Sequence, residues 1–306
     1  MKGGDTVYEW DFTVQEMIDC IEEQGKDGWQ TCSLESVAQQ VGYSKYYCSR
    51  QFQKILGMTF RQYAAGRRLC AATIRVRDTK ESILQIALEF GYSSQGALTR
   101  AFKEAYGCTP AAYRKNPHPI PLSIQKAVLT PLHFIHKGVF EMQTTITAPT
   151  VWVEYIPKHD FIGLYDIHAK GYPDFEKRED FDKTEGILES MIPFQHPVVW
   201  SHYAGWFYEN GQKGYFYGTG VSPDYAGEIP HGFIRKSIPA GYYLVFGHPK
   251  YDYKDNGEVM KRTEDMAWNF APRTLGYAWN EESCQDYPRH MWNDRGYQVL
   301  RPVVKL

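Results

Sequence analysis

The chain repeats one phrase: Ala38-Gln39-Gln40-Val41-Gly42-Tyr43-Ser44 is followed 49 residues later by Ala87-Leu88-Glu89-Phe90-Gly91-Tyr92-Ser93. Beyond the phrase the copies continue with Arg50-Gln51-Phe52 and Arg100-Ala101-Phe102, now 50 residues apart. One residue, Ser93 or Ser94, is therefore extra in the second turn. A self-match at fixed spacing indicates a repeated structural unit. Each copy sets apolar residues at helical spacing around a Gly-Tyr-Ser turn, which predicts two helix-turn-helix units.

The helix after each turn has an apolar face and a polar face. In the first copy Ser44 can cap a helix to about Leu56, with Cys48, Phe52 and Ile55 pointing inward. A recognition helix reads base edges with outward residues near its N-terminus. An ordinary amphipathic helix with a solvated face explains either copy alone equally well, but the repeat favours DNA reading. The outward candidates are Lys45, Tyr46, Ser49 and Arg50, then Gln95, Gly96, Thr99 and Arg100.

The charge of the chain is unevenly distributed. From Ser33 to Asn116 there are 13 Lys and Arg against 5 Asp and Glu, whereas from Pro117 onward there are 19 against 23. A basic segment beside an acidic one fits a polyanion-binding domain joined to a domain that does not contact phosphate. The long helical pattern from Thr59 to Arg77 joins the two units, and its arginines either meet phosphates or only solvate the helix.

Composition excludes several other classes of protein. The six cysteines show neither a C-x-x-C pair nor the spacing of a zinc site, so neither a metal nor another cofactor is expected. Residues Met1 to Trp10 lack the apolar run of a signal peptide, and no stretch approaches the length of a membrane span. The sequence predicts a soluble, reduced, cytoplasmic protein with no membrane partner.

A proline-rich segment marks the predicted domain boundary. Residues 116–121 contain three prolines, which favour a stiff, extended linker between a helical domain (1–115) and a second domain (122–306). In the second domain alternating patterns predict strands, interrupted by helices at about 174–191 and 258–274. The order of strands, helix and strands occurs twice, which predicts an α+β domain with an antiparallel sheet built from two similar halves.

The first domain resembles the DNA-binding domain of the AraC/XylS family of transcription regulators. The residues that carry the resemblance are Gly42-Tyr43-Ser44-Lys45-Tyr46, Leu98 to Lys103, Thr109-Pro110 and Tyr113-Arg114. It implies an all-α double helix-turn-helix fold, double-stranded DNA as partner, and RNA polymerase as a further partner. It also implies that the outward residues named above, apart from Lys45, are the base-reading positions. Many relatives carry Trp in place of Tyr46 and a second Gln in place of Gly96, so readout by the second helix is expected to be weaker or shifted.

The second domain resembles GyrI-like effector-binding domains. Residues Ile238 to Phe246 resemble the phrase that opens their second half, and Gln298 to Val303 resembles their closing strand. The resemblance implies a site for a lipophilic small molecule between the halves, in the arrangement of the Rob subgroup. Aromatic side chains suit such ligands, although for any one of them a place in the core is the favoured interpretation, by about two to one. The ligand-binding candidates are Tyr165, Trp206, Tyr215, Tyr217, Trp268, Trp292 and Gln298.

Gln298 stands where several family members have Glu. A neutral amide cannot pair with a buried cation as a carboxylate does. Either another acid serves, or the ligand is neutral or anionic. The acid candidates are Glu141, Asp286 and Asp294, and the candidates for holding an anion are Arg235, Arg273, Arg289 and Arg301.

Two other functions remain open at this level. In one, the second domain is a small-molecule hydrolase, but the seven histidines from His159 to His290 show no spacing typical of a metal site or a catalytic triad. In the other, the chain binds DNA constitutively and the second domain docks another protein. The sequence favours a regulator that is not an enzyme and whose second domain senses an effector.

Overall fold

A computed structural model describes residues 5–26, 29, 32–126, 128, 148–199, 202–209, 211–251, 255–281, 287–293 and 296–306. For residues 5–9 and 287–293 the description covers the backbone only. The chain divides into two compact units, Met1–His133 and Phe134–Leu306. Each unit has hydrophobic cores of its own.

The first unit is helical, as the repeat predicts. Its helices are α1 (Asp5–Lys26), α2 (Leu34–Gln40), α3 (Lys45–Leu56), α4 (Phe60–Asp78), α5 (Ile83–Glu89), α6 (Gln95–Tyr106) and α7 (Pro110–Lys115). A Ser or Thr side chain accepts a backbone N–H at the N-terminus of every helix after α1, and so satisfies a donor that the helix cannot pair itself. These caps are Ser33, Ser44, Thr59, Ser82, Ser94 and Thr109.

The two Gly-Tyr turns have the same backbone geometry. Gly42 takes a φ of 76°, and its counterpart 49 residues later takes a φ of 71°. The amide of Tyr43 donates to the carbonyl of Ala38 at 3.1 Å, and that of Tyr92 donates to Ala87 at 2.8 Å. This hydrogen bond, with the glycine in the left-handed region, defines the Schellman ending of a helix. Both turns therefore require glycine for the same reason.

The extra residue of the second turn is Ser93. Ser44 caps α3 and Ser94 caps α6, so the recognition helices are 50 residues apart, whereas the glycines before them are 49 apart. Four of the residues predicted to point inward are buried, namely Cys48, Phe52, Leu98 and Phe102, whereas Ile55 is half-buried against the same core.

The segment after α7 packs against the helical unit. Ile120, Leu122 and Val128 are at least nine-tenths buried in the two helical cores. Arg67 also donates to the carbonyl of Ser123 at 2.5 Å. The division between units falls after His133, later than the linker predicted at 116–121. The apolar side chains of this segment bind it to the helices.

The second unit contains an antiparallel sheet. Its strands in the described ranges are β1 (Thr150–Ile156), β2 (His159–Asp166), β3 (His202–Glu209), β4 (Gln212–Val221), β5 (Ile234–Ile238), β6 (Gly241–His248), β7 (Tyr277–Trp279), β8 (Tyr287–Asn293) and β9 (Gly296–Lys305). Their order is β1-β6-β9-β8-β3-β4-β2-β5, with β7 paired to β9. In the part of this unit that the structure describes, the α-helices are α8 (Tyr172–Arg178), α9 (Phe181–Ser190) and α10 (Asn256–Asn269).

The sheet is built from two equivalent halves. In the first, Asp166 of β2 lies opposite Tyr215 of β4, and in the second, His248 of β6 lies opposite Tyr297 of β9, each residue 82 positions later. The halves meet where β3 pairs with β8. The first strand of each half pairs with a strand of the other half: β1 of the first half pairs with β6 of the second, and β5 of the second half pairs with β2 of the first. The predicted internal duplication is confirmed.

Some predicted elements differ from the observed ones. The helix predicted over 174–191 is two helices, because Glu179 is extended and the side chain of Asp180 caps a new helix by accepting from Lys183. The helix predicted over 258–274 ends at Asn269, and a short 3₁₀ turn begins at Pro272, whose ring cannot continue an α-helix. Strands β7 and β8 were not predicted.

Candidate nucleic-acid interface

The outer face of α3 presents Tyr46 and Arg50 to solvent. The side chain of Tyr46 is 68% exposed, and Arg50, one turn further along, is also exposed. No carboxylate of the described residues pairs with Arg50. Ser49 is half-buried beside them. Lys45 instead pairs with Glu35 of α2 at 2.9 Å, and because both groups are exposed this pair contributes little. Lys45 can therefore exchange Glu35 for a phosphate.

The outer face of α6 carries the equivalent positions. Gln95, Gly96 and Arg100 are exposed, and Thr99 is half-buried, as Ser49 is in the first copy. Arg100 has no ion-pair partner in the described ranges. A Cβ atom at Gly96 would meet only the Ser94 hydroxyl, at 3.7 Å, so the backbone does not require glycine there. The absence of a side chain at Gly96 therefore affects only the outer surface.

The arginines of α4 serve mainly inside the unit. Arg67 forms a two-pronged ion pair with Glu22 of α1, at 2.7 and 2.8 Å. Arg75 pairs with Glu81, Arg77 pairs with Asp78, and the Arg68 guanidinium lies over the ring of Tyr92. Arg61, by contrast, is exposed. The sequence left phosphate contact and solvation equally open for these arginines, because it does not show which carboxylates fold against them.

Sequence reasoning missed an aromatic cluster beside α3. The Trp10 ring of α1 lies 4.6 Å from Tyr43 and 6.5 Å from Tyr47, and Tyr47 makes an edge contact with Tyr46 at 5.7 Å. Tyr47 is 54% exposed. The available signal was the Tyr46-Tyr47 pair next to the inward Cys48, since consecutive helical residues cannot all point inward.

A family model described as a helix-turn-helix domain matches residues 37–116, the region that contains both repeats. Regulatory protein SoxS of Salmonella typhimurium is 35% identical over 101 residues, which cover 92% of that protein and 33% of this chain. The chain belongs to the AraC/XylS family.

Other relatives of this AraC/XylS protein match over a similar length. Transposon Tn10 TetD protein of Escherichia coli is 42% identical over 87 residues, 28% of this chain and 63% of that protein. Right origin-binding protein of Escherichia coli K12 is 41% identical over 88 residues, 29% of this chain. The chain thus spans only 30% of the length of the latter. None of the helices in the described ranges has the length and apolar character needed to cross a membrane.

The predicted ligand residues of the second unit lie in several places. Trp206, Tyr215 and Tyr217 pack under α8 and α9, with the Trp206 and Tyr215 rings 5.2 Å apart. Tyr165 contributes to a core that contains residues of both halves. Gln298 is 1% exposed. Its side chain and that of Trp152 both lie against Gly247, since a Cβ atom added there would be 3.7 Å from Gln298 and 2.5 Å from Trp152.

The remaining two tryptophans differ from these. Trp268 of α10 is 42% exposed, and the centre of its ring lies 4.5 Å from the guanidinium carbon of Arg301. The same guanidinium lies 3.6 Å from the centre of the Trp279 ring. Trp292 is described in its backbone only, and it lies opposite Tyr297 as Trp206 lies opposite Tyr215. The structure therefore does not gather all seven ligand candidates into one site.

The charged candidates are also dispersed. Glu141, Asp286 and Asp294 lie outside the described residues, and Arg289 is described in its backbone only. Arg235 pairs at 2.6 Å with the buried Asp160, which makes it part of the fold. Glu154 is a carboxylate that sequence reasoning did not name, and it accepts from the Trp152 indole at 3.1 Å. Its signal was the strand alternation that places residues 152 and 154 on one face.

The described histidines of the second unit lie in separate surroundings. No group of three potential metal ligands occurs in the described part of the chain. His159 and His196 are buried, and burial lowers the pKa of His159 to about 4. His202 lies 3.3 Å from Glu185 of α9. Burial acts to lower the pKa of His202, but the Glu185 hydrogen bond and charge outweigh it and raise that pKa.

Proposed function

We propose that this AraC/XylS protein reads a specific DNA sequence through α3 and α6 and that its second unit adjusts this binding in response to a small effector. The observation that carries the proposal is the matched placement of Arg50 and Arg100. Both are exposed at equivalent positions of the two recognition helices. Most arginines of the helix between them are engaged in contacts within the unit.

The chemistry of the two arginines suits base readout. A guanidinium can donate two hydrogen bonds to O6 and N7 of guanine in the major groove, which discriminates by about 1–3 kcal/mol against other bases. Tyr46 and Gln95 lie on the same exposed faces as the arginines. Phosphate contacts by Lys45 and other basic residues would add affinity without sequence preference.

The test is a binding-site selection from a randomised duplex library, followed by gel-shift titration of the selected site and a scrambled site. Arg50→Ala and Arg100→Ala are each expected to reduce the ratio of specific to non-specific affinity by about 5- to 150-fold. Salt-dependent binding to the scrambled site should remain. Arg61→Ala, which removes an equally exposed charge, is the matched control and should preserve the ratio. Unchanged sequence preference in both recognition-helix variants would refute the assignment.

The proposed sensor function is supported by the duplicated sheet of the second unit. Aromatic residues of both halves share one core, and Tyr165, Trp152 and Gln298 border it. Because an amide lacks charge, we expect a neutral or anionic lipophilic effector. Trp206, Tyr215 and Tyr217 remain candidates on the helix-covered side, and Trp268 and Trp292 remain candidates elsewhere. RNA polymerase remains the proposed partner through which such a regulator acts.

Matched aromatic probes that differ only in charge test the sensor. Neutral or anionic members are expected to raise the thermal midpoint of the full chain and to change its affinity for the selected DNA, because a ligand shifts an equilibrium only through differential binding. Gln298→Glu should shift the preference toward the cationic member. Probes that stabilise the protein without changing DNA affinity would contradict effector control.

A further inference from the structure

Four aromatic side chains form a continuous patch next to the exposed end of α3. Trp10 comes from α1, Tyr43 from the turn, and Tyr46 and Tyr47 from the first turn of α3. Trp10 and Tyr47 are stacked, with 25° between their ring planes. The inner members are shielded, but Tyr46 and Tyr47 are 68% and 54% exposed. A contiguous exposed apolar patch, unlike a single exposed apolar residue, often marks an interaction site.

Tyr47 widens the reading face of the recognition helix. With 3.6 residues per turn, Tyr46 and Arg50 lie about 40° apart around the helix axis, and Tyr47 follows about 60° beyond Arg50. Ser49 flanks the face on the other side. Tyr47 therefore borders the arc that would enter the major groove, on the side toward α1.

The second helix-turn-helix copy has no equivalent patch. The positions that correspond to Tyr46 and Tyr47 are Gly96 and Ala97, 50 residues later. The counterpart of Tyr43 is Tyr92, which is 9% exposed and covered by the guanidinium of Arg68. The repeat thus keeps its folding residues in both copies, whereas the aromatic surface occurs on α3 alone. A requirement of the shared fold would have placed it on both helices.

We infer that Tyr47, held in place by Trp10, is a specificity-determining residue that contacts the 5-methyl group of a thymine in the DNA half-site read by α3. The inference rests on the proposed reading of DNA by α3. The thymine methyl is the apolar feature of the major groove. An aromatic ring with its outer edge exposed can bury that methyl without leaving a polar group unpaired. Trp10 is a positioning residue, because it touches Tyr47 and not the DNA.

The experiment replaces each thymine of the selected site by deoxyuridine, which removes only the methyl group. For the full-length protein, one or two replacements within the half-site of α3 are expected to weaken binding about 3- to 5-fold, the value of one buried methyl group. Tyr47→Ala should weaken binding to the thymine site by a similar factor and bind the two sites equally. Tyr47→Phe should behave as the wild type, because the ring and not the hydroxyl makes the contact.

Two further variants separate positioning from general damage. Trp10→Ala should reduce the thymine–deoxyuridine difference while leaving the Arg50-dependent preference and the salt dependence of binding in place. Tyr155→Ala removes an equally exposed tyrosine of the second unit and should change neither quantity. If the wild type binds every deoxyuridine site as tightly as the thymine site, or if Tyr47→Ala keeps the difference, the inference is wrong. Failure of Arg50→Ala and Arg100→Ala to alter preference would instead refute the proposed function.

Discussion

The Glu22–Arg67 ion pair is expected to hold α1 against α4, and Glu22→Gln tests this. The two carboxylate oxygens of Glu22 accept from Arg67 at 2.7 and 2.8 Å, and both side chains are 16% exposed. The Tyr63 hydroxyl also donates to Glu22, at 3.3 Å. The substitution keeps the shape of the side chain but leaves the guanidinium without its counter-charge.

The magnitude follows from this geometry. Removing one partner of a fully buried ion pair costs about 3–5 kcal/mol. The remaining exposure lets water stabilise the guanidinium, so we expect Glu22→Gln to lower the free energy of unfolding by about 2–4 kcal/mol. The double replacement Glu22→Leu with Arg67→Met should lie close to the wild type, because neither charge is then desolvated.

The assay is urea unfolding of the full chain followed by far-ultraviolet circular dichroism, with the early helical transition assigned to the first unit. Glu81→Gln is the matched control, since its pair with Arg75 is much more exposed and should contribute less. If Glu22→Gln destabilises the protein no more than Glu81→Gln does, the pair does not act as an internal tie. If the double variant is as unstable as the single one, the cause is lost packing.

Three further outcomes are expected. Gly96→Ala should stabilise the helical unit by up to about 1 kcal/mol in thermal unfolding, because a Cβ atom there meets only the Ser94 hydroxyl at 3.7 Å. Leu122→Ala should lower the unfolding free energy of that unit by about 2–4 kcal/mol, whereas a free linker residue would give no change. The third concerns the Glu185–His202 pair. Burial acts to raise the pKa of Glu185, but the hydrogen bond and charge of His202 outweigh burial and lower that pKa. The pKa of His202 is raised. The pair should therefore stabilise the second unit most between the unfolded pKa values of 4.5 for Glu185 and 6.5 for His202. This stabilisation should be lost as the pH rises above that range or falls below it. His202→Gln should make the thermal midpoint less dependent on pH over the same range.

The helical unit was predictable because its signals are local. Caps such as Ser44 and Ser94, glycines in left-handed turns, and apolar residues one helical turn apart each act within a few residues. Their agreement in both copies confirmed the helix-turn-helix prediction. The base-reading roles of Arg50 and Arg100 stay predictions, although their exposure is consistent with them.

The second unit was predictable in its pattern and less so in its boundaries. Alternation of apolar and polar residues revealed the main strands and their duplication. Strand β7 was missed because three residues are too few to show alternation, and β8 was missed because its sequence does not alternate clearly. The predicted helix over 174–191 failed because the side chain of Asp180 competes for backbone donors. Alternation also showed that residues face two ways without showing what covers each face. For this reason the sequence did not reveal that the aromatic candidates lie in separate parts of the second unit.

The sequence by itself determined that the chain has two helix-turn-helix units, which residues of each point outward, and that a duplicated antiparallel domain follows. Tertiary structure alone decided which arginines stay available: Arg67 faces Glu22 from 45 residues away, while Arg50 and Arg100 meet no carboxylate of the described residues. It also placed Trp10 beside Tyr47 and bound Leu122 to the helical core. The physical reason is that helix and turn signals act over a few residues, whereas ion pairing and burial depend on which distant segments fold together.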